Sequence, residues 1–91
     1  MSDIVDEEEI NRARWASRRG MLELDLVLEP FVSSRYSTLN ASDRERYRQL
    51  MLCEDQQLYA WILGREQPED GELQAIVSQV LEYTVSRSLN T

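Results

Sequence analysis

Three glycines and two prolines punctuate the whole chain of 91 residues, and that scarcity of breakers constrains the fold more than any other feature. Glycine and proline are the residues with which a chain turns sharply between short elements, so a sequence poor in both is built of helices with few corners. The apolar pattern agrees. Leu24, Val27, Leu28 and Phe31 stand at i, i+3, i+4 and i+7, the face of a core helix. Leu73, Ile76, Val77, Val80, Leu81 and Thr84 form a second, cleaner stripe, expected on the central packing helix. No stretch alternates apolar and polar residues between turn signals. The residues alone predict four or five short helices in a small all-α domain.

Taken in order, the first helix is expected from Asp6 to Arg18. Acids (Asp6, Glu7, Glu8, Glu9) open it and bases (Arg12, Arg14, Arg18, Arg19) close it, which suits the helix macrodipole. Its apolar positions, Ile10, Ala13, Trp15 and Ala16, make a thin stripe, so it should be weakly buried. A second helix runs from Met21 to about Tyr36, with a kink or a break at Pro30, which removes a helical hydrogen bond. Asn40 and Asp43 form the start of a third, which reaches about Cys53 with Tyr47, Leu50 and Met51 inward. A short fourth helix, capped by Asp55, turns Leu58, Trp61 and Ile62 inward and stops at Gly64. Glu69 or Asp70 caps the last one. Residues 1–8 read as an acidic, partly flexible extension, 9–88 as one helical domain, and 89–91 as a frayed end.

The net charge of −7 opposes non-specific binding to nucleic acid and attraction to an anionic membrane. No apolar run approaches the ~20 residues of a membrane span, and Met1–Asp6 lacks the pattern of a signal peptide. A cytoplasmic chain with no direct membrane insertion is the expectation. The single cysteine, Cys53, cannot form an internal disulfide and reads as a small core hydrophobe.

The chemistry open to the chain is narrow. It has no histidine, which removes the commonest general base near neutral pH and every Ser-His or Cys-His nucleophile pair. With one cysteine no zinc ligand set exists, and the isolated Gly20, Gly64 and Gly71 make no phosphate loop. Acids are abundant, but on solvated helix faces they read as surface charge. An enzyme is not expected, nor a cofactor of its own.

What remains is binding, and one turn stands out. Arg18-Arg19-Gly20-Met21-Leu22-Glu23 joins two amphipathic patterns and carries part of a basic cluster in an acidic chain. Arg19 and Glu23 flank the glycine, so complementing one helix dipole does not account for both. Trp15, crowded by arginines, has two readings: the anchor of a protein–protein interface, or a lid packed on the edge of the core.

The run Trp15 to Asp25, with Pro30-Phe31 after it, resembles the SdhE-type succinate dehydrogenase assembly factors, or flavinators. Their Arg-Gly-x-x-Glu hallmark falls on Arg19, Gly20 and Glu23. Leu-Met-Leu-Cys-Glu-Asp at 50–55, Leu58 to Trp61 and Pro68 to Leu73 extend the likeness over about Arg12 to Arg87. The resemblance implies a single all-α domain, a small bundle of five short helices. It also implies a partner, the flavoprotein subunit of succinate dehydrogenase and often of fumarate reductase, on which FAD becomes covalently attached to a histidine. Arg19, Gly20 and Glu23 would be the contact surface, with Trp15, Met21, Arg18 and Asp25 beside them, on a chain expected to be monomeric when free. On that reading the Arg19 guanidinium offers its fork to the partner, and Glu23 pairs with a partner cation or orients Arg19. An antitoxin-like helical interaction module, unrelated to flavin, is the other reading.

Overall fold

In the computed structural model, which describes residues 5–89, each helix starts where a side chain can cap it or a turn delivers it. Helix α1 (Glu7–Ser17) starts after Asp6, whose carboxylate accepts the Glu9 N–H at 2.8 Å. Asp6, Glu7 and Glu8, placed above in an N-terminal extension, are thus the cap and first turn of α1. Residues 1–4 and 90–91 lie outside the described residues.

Helix α2 (Leu22–Arg35) runs unbroken through Pro30 and hands over at Tyr36 to a 3₁₀ turn, Tyr36–Thr38. The break that Pro30 allowed is absent. The Leu26 carbonyl, which Pro30 cannot serve, faces the Arg87 guanidinium, whose Nη1 donates to it at 3.4 Å.

Helix α3 (Ala41–Met51) is capped by Asn40, which accepts the Asp43 N–H at 2.8 Å. The Asp43 carboxylate turns to Gln79 and Arg46, and the Gln79 hydrogen bond with the Arg46 charge holds it below its ordinary range. Helix α4 (Asp55–Ile62) is capped by Glu54, in a capping box with Gln57, and not by Asp55, whose carboxylate is drawn to Arg19. Gly64 ends α4 at φ +74, the left-handed stop expected of it. Asp70 caps α5 (Gly71–Leu89), its carboxylate accepting the Glu72 N–H.

The core is made by α2, α3, α4 and α5. Leu24, Leu28, Phe31 and Val32 of α2 meet Tyr47 and Leu50 of α3, Leu58 of α4, and Ile76 and Val80 of α5, all buried. Phe31 stacks on Tyr47 at 5.6 Å between ring centroids, and Tyr36 meets Tyr47 edge-on at 5.8 Å. Helix α2 touches α1, the 3₁₀ turn, α4 and α5, so it and not α5 stands at the centre. Helix α1 packs chiefly on α2, whereas α5 packs against α2, α3 and α4. The last turns of α5 are helical to Leu89. Arg87 on Leu26 and a Tyr83–Ser34 hydrogen bond of 2.9 Å tie them to α2.

Helix α1 buries only Ala13 and Ser17 and is fastened mainly by polar contacts. Glu9 accepts from Tyr36 at 2.9 Å and pairs with Arg44 at 3.2 Å and Arg48 at 3.0 Å. Ser17 Oγ donates to the Ala13 carbonyl and lies 2.6 Å from the Tyr47 hydroxyl. Burial pushes the Tyr47 phenol up, and burial with the Glu9 contact does the same for Tyr36. A raised pKa means the folded chain keeps a proton that the unfolded chain has lost. The stability these phenols contribute is therefore complete below about pH 10, where an unfolded tyrosine titrates, and is lost above it. Urea midpoints are expected to fall above about pH 10, and to fall less in Tyr47→Phe.

Candidate functional site

The α1–α2 turn is built by its own residues and by partners far along the chain. Arg18 closes α1, its N–H donating to the Trp15 carbonyl at 3.2 Å. The Arg19 N–H donates to Asp25 Oδ1 at 2.8 Å. Gly20 then takes φ +79, a conformation that costs an L-residue and that glycine adopts freely. Met21, extended, delivers the chain into α2, and its carbonyl accepts from Leu24 and Asp25. A Cβ placed on Gly20 would meet no atom of the chain within 4 Å. The glycine therefore serves the turn and not a tight internal packing, and the space above it is open.

The Arg19 side chain turns inward. Its Nε donates to Asp55 Oδ1 at 2.7 Å, its Nη1 to the carbonyls of Ala16 and Met51 at 2.9 Å each, and its Nη2 to the Cys53 carbonyl at 2.8 Å. The side chain is only 16% exposed. Carbonyls at the ends of α1 and α3, the negative poles of two helix dipoles, converge here with a carboxylate, and one guanidinium serves all of them. The fork expected to reach a partner is thus spent within the chain. It is oriented by Asp55 and, at its backbone, by Asp25, not by Glu23. Cys53, whose carbonyl is one of the acceptors, keeps its thiol: burial pushes its pKa up.

Other predicted residues face outward. Trp15 is 71% exposed, with the Arg18 guanidinium 5.2 Å from its ring centroid, so it is no lid on the core. Arg18 also reaches Glu29 of α2 at 3.6 Å, which sets α1 and α2 side by side at the surface. Glu23 is exposed and has no ion-pair or hydrogen-bond partner among the described residues. Met21 is half-buried against the core.

Two residues escaped the sequence reading. Leu22 is 68% exposed and Leu26 61%, one helical turn apart on α2. The signal was present: both lie off the Leu24–Val27–Leu28–Phe31 stripe, and an apolar pair outside a helix's core face has nothing of its own chain to cover it. Trp15 on α1 and Leu22 and Leu26 on α2 are thus exposed apolar side chains in the two helices that the turn joins, and Gly20 and Glu23 are exposed between Trp15 and Leu26 in the chain. Among the described residues no cluster of acids or cysteine has the form of a metal site.

Residues 11–84 match the Sdh5 family, described as the flavinator of succinate dehydrogenase. The chain belongs to that family. It is 49% identical to the FAD assembly factor SdhE of Pseudomonas savastanoi pv. phaseolicola over 79 residues, which are 87% of this chain and 94% of the relative. The FAD assembly factor SdhE of Idiomarina loihiensis is 44% identical over 76 residues, 84% of this chain and 80% of that one. The solution structure of a UPF0350 protein superposes with a TM-score of 0.76 at 33% identity, covering 92% of this chain and 89% of its own. The five-helix fold expected of a flavinator is the fold found here. The family match contains the whole α1–α2 turn.

Proposed function

We propose that this flavinator-family chain docks through its α1–α2 face on the flavoprotein subunit of succinate dehydrogenase and promotes covalent attachment of FAD to it. The observation that carries the reading is the exposure of Trp15, Leu22 and Leu26 on the two helices joined at an open Gly20, with an unpaired Glu23, in a chain of this family. Large apolar side chains left in water on the helices beside a turn match the anchors of protein interfaces. Arg18, Met21 and Asp25 support them: Arg18 under the indole, Met21 and Asp25 in the turn itself.

The assembly factor supplies no reacting group and carries no cofactor of its own. The bond forms between FAD and a histidine of the partner, and this chain has none. Its contribution is to favour the partner conformation in which flavin and acceptor are aligned, which raises the rate by positioning. The flavoprotein subunit of fumarate reductase is a second client of the same kind. The chain acts as a monomer in the cytoplasm.

The test is direct. Purified flavoprotein subunit, FAD and a dicarboxylate are incubated with and without this protein, and covalent flavin is read by in-gel fluorescence. A clear acceleration is expected; no change in flavin would leave only the general interaction module. Trp15→Ala is expected to weaken docking by about 2 kcal/mol, roughly thirtyfold, with an unchanged melting temperature because the indole is outside the core. Glu23→Gln removes a charge without touching the fold, and should weaken docking about tenfold in low salt and less in high salt. Equal binding by Glu23→Gln at both salts would remove Glu23 from the interface.

A further inference from the structure

The contacts of the Arg19 guanidinium come from two corners of the bundle. Ala16 belongs to the end of α1, whereas Met51, Cys53 and Asp55 form the α3–α4 corner, 32 to 36 residues further along. Among the described residues Asp55 is the one carboxylate that meets the guanidinium, at 2.7 Å. A second carboxylate, Asp25, holds the same residue by its backbone N–H. Directly after this doubly held residue the chain steps into Gly20 at φ +79, and no side chain caps the α2 N-terminus that follows. The turn is therefore held by Arg19, and Arg19 by Asp55.

We infer that Asp55 is a positioning residue for docking: through Arg19 it keeps the turn in the geometry that the flavoprotein subunit meets. The inference rests on the docking function proposed for the turn. Its physical basis is a population argument. If the turn is held by carbonyl acceptors alone, it leaves the docking geometry for part of the time. The apparent dissociation constant then rises by the inverse of the fraction that remains competent, while the complex, once formed, is the same. Weakening Asp55 should therefore raise the half-saturating concentration of the factor and leave the rate at saturation where it was. A residue that stabilised the aligned flavin itself would lower the saturating rate.

The decisive variants keep the shape of the clamp: Asp55→Asn, which removes the charge, Arg19→Lys, which removes the fork, and the two together. The full-length proteins are titrated into flavoprotein subunit, FAD and dicarboxylate, and covalent flavin is measured by fluorescence. Amide hydrogen exchange at Arg19 and Gly20 is followed in the free proteins. Asp55→Asn is expected to raise the half-saturating concentration about fivefold at an unchanged saturating rate, and to speed exchange at Arg19 by a similar factor. The double variant should be no worse than Arg19→Lys alone, because the two residues act as one. Effects that multiply in the double variant would mean that Asp55 meets the partner by itself, and would overturn the inference. So would an unmoved half-saturating concentration in Asp55→Asn, or unmoved exchange. If the wild-type protein itself fails to bind the flavoprotein subunit, the docking function falls. The exchange data then still decide whether Asp55 holds the turn.

Discussion

A Gly20→Arg variant is expected to fold and to lose the acceleration of flavin attachment. At φ +79 any side chain costs about 1–2 kcal/mol, which in a domain of this size lowers the melting temperature by roughly 5–15 °C. The chain offers no obstacle to the new side chain, since a Cβ there meets nothing within 4 Å. The arginine would therefore stand in the open space above the turn, among Trp15, Leu22 and Glu23, where the partner is proposed to approach. Gly20→Ala separates the two effects. It pays the same backbone cost with almost no bulk, so its melting temperature should match that of Gly20→Arg while it keeps most of its docking. If Gly20→Arg flavinylates as well as wild type, the face is misplaced. If Gly20→Ala is equally inactive, the turn's conformation, and not the space above it, is what the partner requires.

Arg19→Ala should act chiefly on the fold. The substitution leaves the carbonyls of Ala16, Met51 and Cys53 and the Asp55 carboxylate without their donor in a largely buried setting. Hydrogen bonds to a charged group contribute about 1.5–3 kcal/mol each, but water reaches Asp55 and part of the clamp, so a total loss of about 3 kcal/mol is expected. Thermal melts should fall by roughly 10–20 °C. Trp15→Ala is the converse case, with a fold unmoved and docking weakened. An Arg19→Ala protein that melts like wild type and yet fails to dock would show that the guanidinium leaves its internal partners and reaches the flavoprotein after all.

The contrast between these arginine and glycine predictions marks where sequence reasoning is strong. Gly20 stands in the turn between two helical patterns and Gly64 at a helix end, and both have positive φ. The stripes through Leu24, Leu28 and Phe31 and through Ile76, Val77 and Val80 are the core. Asp6, Asn40 and Asp70 sit at helix starts as their types require. Each of these follows from neighbours within about one helical turn, and so each is legible in a linear string.

The errors share the opposite property. Pro30 does not break α2, and the Leu26 carbonyl that it cannot serve lies 3.4 Å from the guanidinium of Arg87, 61 residues beyond Leu26. Asp55 did not cap α4 because Arg19, 36 residues before it, holds its carboxylate. The thin apolar stripe of α1 understated its attachment, since Glu9 reaches Arg44 and Arg48 across to α3.

At the turn itself, the sequence by itself determined the glycine, the helix ends beside it and the residues available to a partner. Only the tertiary structure decided which of them are exposed. It turned Arg19 inward and left Trp15, Leu22, Leu26 and Glu23 in water. The reason is reach: backbone geometry and capping are settled by adjacent residues, but a long charged side chain goes to whichever acceptors the packed helices bring within hydrogen-bond distance.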